Sequence, residues 1–174
     1  MGEHLGRLTT SWVLFGLAFC LVLSGLLTSK WLTVTAYFTK VDVHFAAKGS
    51  YSSGYDATIA TAMWATLGAS CGMAGMCFIL ANIMMFADCC SRVSECMTAI
   101  PKICVLLATL GGLLAEVGCT LFLIDLYVLD TIPVMMMMTV TPNISFYLTV
   151  AGGVIQMIGG CVSKFSFKVR VAVH

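Results

Sequence analysis

Nine cysteines are the most reactive groups in this chain of 174 residues. Cys20, Cys71, Cys77, Cys104 and Cys119 lie inside long apolar runs. Cys89, Cys90 and Cys96 crowd the segment DCCSRVSEC, and Cys161 stands near the end of the last apolar run. The DCCSRVSEC cluster has neither a fourth ligand nor C-x-x-C spacing, so it is a poor zinc site and no metal is expected. Beside a membrane, Cys89, Cys90 and Cys96 are candidates for S-palmitoylation, with plain reduced thiols the alternative. No cysteine falls clearly in a loop expected on the outer side of the membrane, so no structural disulfide is expected.

Acid–base chemistry has thinner material. Glu116 is the only carboxylate deep within an apolar run. An ionisable group in hydrocarbon is costly and normally turns inward to a partner. Gln156 is the candidate, and an interhelical Glu116–Gln156 hydrogen bond is expected. A proton or cation pathway would need a second carboxylate or a histidine to continue it. Asp125 and Asp130 read as solvated or capping groups. His4, His44 and His174 lie outside the apolar runs, so a haem has no axial ligand within a helix. Every arginine is also outside them, and a thiol oxidase would need a C-x-x-C pair. No catalysis, cofactor or small-molecule substrate is expected.

The elements that hold these groups follow from composition. Hydrophobic residues make up 60% of the chain and charged residues 10%, with mean hydropathy +1.00. Soluble domains carry about 25% charged residues, so this is a membrane protein by composition. A net charge of +1 with scattered basic residues provides no face for nucleic acid. A spanning helix needs about 20 apolar residues. Four runs qualify, at about 10–29, 57–87, 103–129 and 144–162, in one integral membrane domain covering 1–174. The first is too long for a typical signal-peptide core and is read as a retained helix. The fold class expected is all-α membrane protein, a left-handed four-transmembrane-helix bundle. Arg7, Arg92, Lys102, Lys164, Lys168 and Arg170 fall on one side, with Lys30, Lys40 and Lys48 on the other, which favours cytoplasmic termini. The inner loop is then about 88–102, and the outer loops about 30–56 and 130–143.

The first outer loop alternates with period two from Trp31 to Phe45. It reads as two short strands with a turn near Thr39 and Lys40. A hairpin alone is marginal in water. The β-prone run bracketed by Pro133 and Pro142 could add an edge strand. Met135, Met136, Met137 and Met138 either pack beneath that hairpin or skim the lipid, or they form an adaptable contact loop for a partner. Small residues mark close helix contacts: Gly68-x-x-x-Gly72 in span two, Gly112 with Ala108, Ala115 and Gly118 in span three, and Gly152, Gly153, Gly159 and Gly160 in span four. They close the bundle or dock on another protein. Asn143-Ile144-Ser145 matches the glycosylation sequon but sits too close to the membrane for modification to be expected.

Three stretches carry a family resemblance. They are Trp31-Leu32-Thr33-Val34-Thr35-Ala36-Tyr37-Phe38 after span one, Tyr55-Asp56-Ala57 entering span two, and Asn143-Ile144-Ser145-Phe146-Tyr147-Leu148 followed by paired glycines in span four. Together they resemble the claudin and peripheral myelin protein superfamily, which includes the stargazin-like auxiliary subunits. The resemblance implies four helices, cytoplasmic termini and a small extracellular β-sheet in which Trp31, Val34, Tyr37 and Phe38 make contacts. The family's Gly-Leu-Trp and paired first-loop cysteines are missing, and the loop of about 27 residues is roughly half the usual length. The implied function is assembly with other proteins in the plasma membrane. One form is contact with itself at cell–cell junctions. The other is an auxiliary subunit on a larger channel or receptor. The ending Arg170-Val171-Ala172-Val173-His174 carries no recognisable PDZ ligand, which argues against junction scaffolding.

Overall fold

A computed structural model describes residues 2–28, 30–36, 39–44, 57–89, 99–127 and 138–171. In chain order the elements are α1 (Gly2–Leu27), β1 (Lys30–Ala36), β2 (Thr39–His44), α2 (Ala57–Cys89), α3 (Ile100–Tyr127), β3 (Met138–Pro142) and α4 (Ile144–Val171). All four helices contain a stretch long and apolar enough to cross a membrane: Leu8–Leu27, Thr61–Ala87, Ile100–Ile124 and Ile144–Lys164. This is a multi-pass membrane architecture.

The helices outrun the apolar stretches because nothing stops them. α1 begins well before Thr10, and α4 passes Val162 into the basic segment around Lys164, Lys168 and Arg170. Neither segment contains a proline. α3 starts at Ile100, ahead of the expected Ile103, and takes Pro101 in its first turn, where the missing N–H costs nothing.

The helices form a ring in which each packs on two neighbours, α1–α2–α3–α4 and back to α1. Opposed contacts show that every neighbour pair is antiparallel. Gly16 meets Phe78 while Gly75 meets Phe19 across α1 and α2, and Gly112 meets Gly153 while Ala108 meets Gly160 across α3 and α4. The α1–α4 pair is the most extensive. There a Cβ on Gly152 would lie 2.6 Å from the Val22 side chain and 3.2 Å from the Ala18 carbonyl oxygen, an approach that only glycine permits.

One end carries a three-stranded sheet in the order β2-β1-β3, antiparallel throughout. The run before Pro142 does supply the third strand, on an edge. β1 and β2 pair Ala36 with Thr39 and Thr35 with Lys40. Thr39 and Lys40 are therefore strand residues, and the hairpin closes earlier than expected. Pairing jumps from Lys30–His44 to Leu32–Val43, which leaves Trp31 as the extra residue of a bulge. The bulge breaks the simple alternation: the consecutive residues Trp31 and Leu32 are both buried. A regular strand would send them to opposite faces.

Candidate functional site

The joint between sheet and bundle is the most constructed part of the molecule. Trp31, fully buried, stands edge-on to Trp64 at a centroid distance of 5.9 Å and to Phe122 at 5.5 Å. Phe122 in turn lies 5.8 Å from Phe146. Leu32, Met63, Leu67 and Cys119 complete this cluster, so β1 and three helices share one core. Aromatic rings in this edge arrangement attract beyond their area alone.

Polar groups fix the same joint. The Asn143 backbone N–H donates to the Trp31 carbonyl at 2.9 Å, and its Nδ2 donates to Thr33 Oγ1 at 2.8 Å. Its Oδ1 accepts from the Ile144 N–H at the start of α4. The sequon asparagine is thus a clamp between β1 and α4. Beside it Thr28 Oγ1 and Ser145 Oγ lie 2.8 Å apart, which ties the end of α1 to the same turn. The pairing of Thr28 with Ser145 has no signal in the sequence. The Asn143-to-Ile144 helix start was a signal that could have found the clamp.

The residues expected to make sheet contacts divide. Trp31 is buried in the joint and is an anchor, not an exposed contact, because the bulge turns it inward. Val34 is central in β1, paired with Val41 and Val140. Tyr37, Phe38, Met135, Met136 and Met137 lie outside the described residues. Met138 opens β3, opposite Ala36. Of the palmitoylation candidates, Cys90 and Cys96 lie outside the described residues, and Cys89 is the last residue of α2.

The packing residues also divide. Gly112 sits against the Gly153 carbonyl oxygen, and Gly159 against Phe15 and Leu14. Gly68 and Gly72 do not close the bundle. Nothing lies within 4 Å of a Cβ built on either, and both face outward with Ala65 and Ala69. Small residues mark where helices can approach, but the angular position on α2 decides whether they do, and the inward positions fall to Met63, Leu67, Ser70 and Ala74.

The expected Glu116–Gln156 hydrogen bond is not made. Gln156 lies against Gly111, whereas Glu116 Oε1 lies against Gly153, roughly one turn away along the seam. Both polar atoms of the Gln156 side chain, Glu116 Oε1 and Ser70 Oγ are buried without a hydrogen-bond partner. Trp31 Nε1 and Trp64 Nε1 are in the same state at the joint. Asn82 is satisfied instead: its Oδ1 accepts from Trp12 Nε1 at 3.0 Å, across α1 and α2.

Among the described residues, no three His, Cys, Asp or Glu side chains gather into a metal-binding group, and Cys20, Cys71, Cys77, Cys104, Cys119 and Cys161 are free thiols. At the end away from the sheet, Leu8, Phe15, Ala81, Met84 and Cys104 line a hollow of about 10 Å³. That holds about one water and no substrate. No family model matches the chain, and no curated protein emerges as its relative.

Proposed function

We propose that this is a claudin-like integral membrane protein whose task is protein–protein assembly at cell–cell contacts or junctions. In this reading it lies in the plasma membrane with cytoplasmic termini and displays the sheet on the outer face. One observation carries it: a small sheet is held rigidly on a four-span bundle by the fully buried Trp31 and the Asn143 clamp. A sheet fixed in this way presents its partner with a preordered surface, which lowers the entropy lost on binding. Among the described strands, β2 and β3 are both edges, and edge backbone groups can pair with another chain. The sequence resemblance supports the same assignment.

A second reading, an auxiliary subunit on a larger channel or receptor, has its own support. α2 turns Gly68 and Gly72 outward, and small outward residues suit close docking of another membrane helix. Isolation in mild detergent followed by mass measurement separates the two. Strands or oligomers of this chain alone support adhesion, and a stoichiometric larger partner supports the auxiliary role. A monodisperse monomer that never associates refutes both. Replacing Met135 to Met138 with Ser should weaken association without affecting insertion, and unchanged association would remove that segment from the contact surface.

A further inference from the structure

Glu116 occupies an unusual place. It lies about 12 Å along α3 from Ile124, the sheet-side end of the apolar stretch, and therefore well inside the hydrocarbon. One carboxyl oxygen is buried against Gly153, whose missing side chain lets α3 and α4 pack closely at this level of the seam. The residue as a whole is only half-buried, so the side chain lies at the lipid-facing edge of the seam. Leu113 and Thr120, one turn to either side, are exposed, as is Val154 beside Gly153. Thr120 Oγ1 is already committed to the Glu116 backbone carbonyl at 2.8 Å.

Neither carboxyl oxygen has a hydrogen-bond or ion-pair partner among the described residues. Lys102, the nearest lysine on the same helix, is about 21 Å away along the axis. A carboxyl group at this depth is costly until a donor reaches it. A second copy inserted in the same orientation brings only another Glu116 to that level, since the described spans hold no Lys, Arg or His there. Charge complementarity therefore selects the occupant.

We propose that the α3–α4 seam is a docking site for a membrane helix of a different protein, one that carries a lysine or arginine level with Glu116. This rests on the assembly reading above and names the partner chemistry for its auxiliary form. The pair forms carboxylate-to-ammonium or carboxylate-to-guanidinium hydrogen bonds in a medium where such bonds are strong. The exposed side chains of Leu113 and Val154 supply the apolar flanks on which such a helix would pack.

The test uses the full chain in lipid nanodiscs and synthetic single-span leucine–alanine helices as probes, with association read by fluorescence energy transfer. One probe carries Lys at the depth of Glu116. A second carries it two turns deeper, a third has Leu there, and a fourth has Glu. The first should bind about tenfold tighter than the others, and Glu116→Leu should abolish that preference. Glu116→Gln keeps the side-chain shape and a hydrogen-bonding end, guards against a folding failure, and should lose most of the preference. Equal binding of the Lys and Leu probes overturns the proposal, as does a preference that survives Glu116→Leu. Self-association that depends on Glu116 overturns the choice of occupant. If the probes fail while the chain still assembles in mild detergent, only this docking site falls. If neither occurs, the assembly reading falls with it.

Discussion

Replacing Trp31 tests whether the sheet is held by the aromatic joint. The residue is fully buried, and truncating a buried Trp to Ala costs about 3–5 kcal/mol in a packed core. Here the wild-type indole also carries a burden, because Nε1 is enclosed without an acceptor. An unsatisfied buried donor costs about 1–3 kcal/mol, which the substitution relieves. The net loss for Trp31→Ala is then about 2 kcal/mol. Trp31→Phe keeps most of the ring contact with Trp64 and Phe122 and discards the orphaned donor, so it should fall within about 1 kcal/mol of wild type. Hydrogen exchange of the β1 amides in nanodiscs reads this directly. Protection across Lys30–Ala36 should drop about thirtyfold in Trp31→Ala, at about 1.4 kcal/mol for each factor of ten, and severalfold at most in Trp31→Phe. Unchanged protection in Trp31→Ala would show that the sheet is held by something other than this joint. An equal drop in both variants would show that the indole N–H has a partner.

Gly111→Ala drives a methyl into Gln156 Nε2 and toward Met73, and should destabilise the bundle by about 1–3 kcal/mol in detergent unfolding, whereas Gly68→Ala and Gly72→Ala should be harmless within about 0.5 kcal/mol. Gln156→Met replaces two unpartnered polar atoms with a side chain of similar length, and should raise stability by about 1 kcal/mol in the same assay; a loss would reveal a bridging water or another donor. Asn143→Ala removes the bond to Thr33 and the cap on α4, and should cost about 1–2 kcal/mol, seen as faster amide exchange in β1 and the first turn of α4 but not in α2.

The four spans were legible because hydrocarbon imposes a length and a composition that a single sequence displays in full. The strands were legible from alternation, and the third from its bracketing prolines. What escaped was angular and positional. The face of α2 that Gly68 occupies depends on helix register relative to neighbours, and a glycine pattern alone does not encode it. Glu116 and Gln156 were the right polar residues, but their separation depends on how far α3 and α4 slide past each other. The bulge at Trp31 was also hidden, since alternation shows that a strand exists but not where one residue is inserted. Asn143 stands out in the sequence for its sequon, although its position just ahead of α4 also marks it as a helix start.

β1 follows α1 after a two-residue step, and β3 runs into α4 through Asn143 alone. The central strand therefore follows closely on α1 and one edge strand on α4, the two helices that share the largest interface. A tug on the sheet is a torque on that pair, and a twist of either helix swings the sheet like the head of a key.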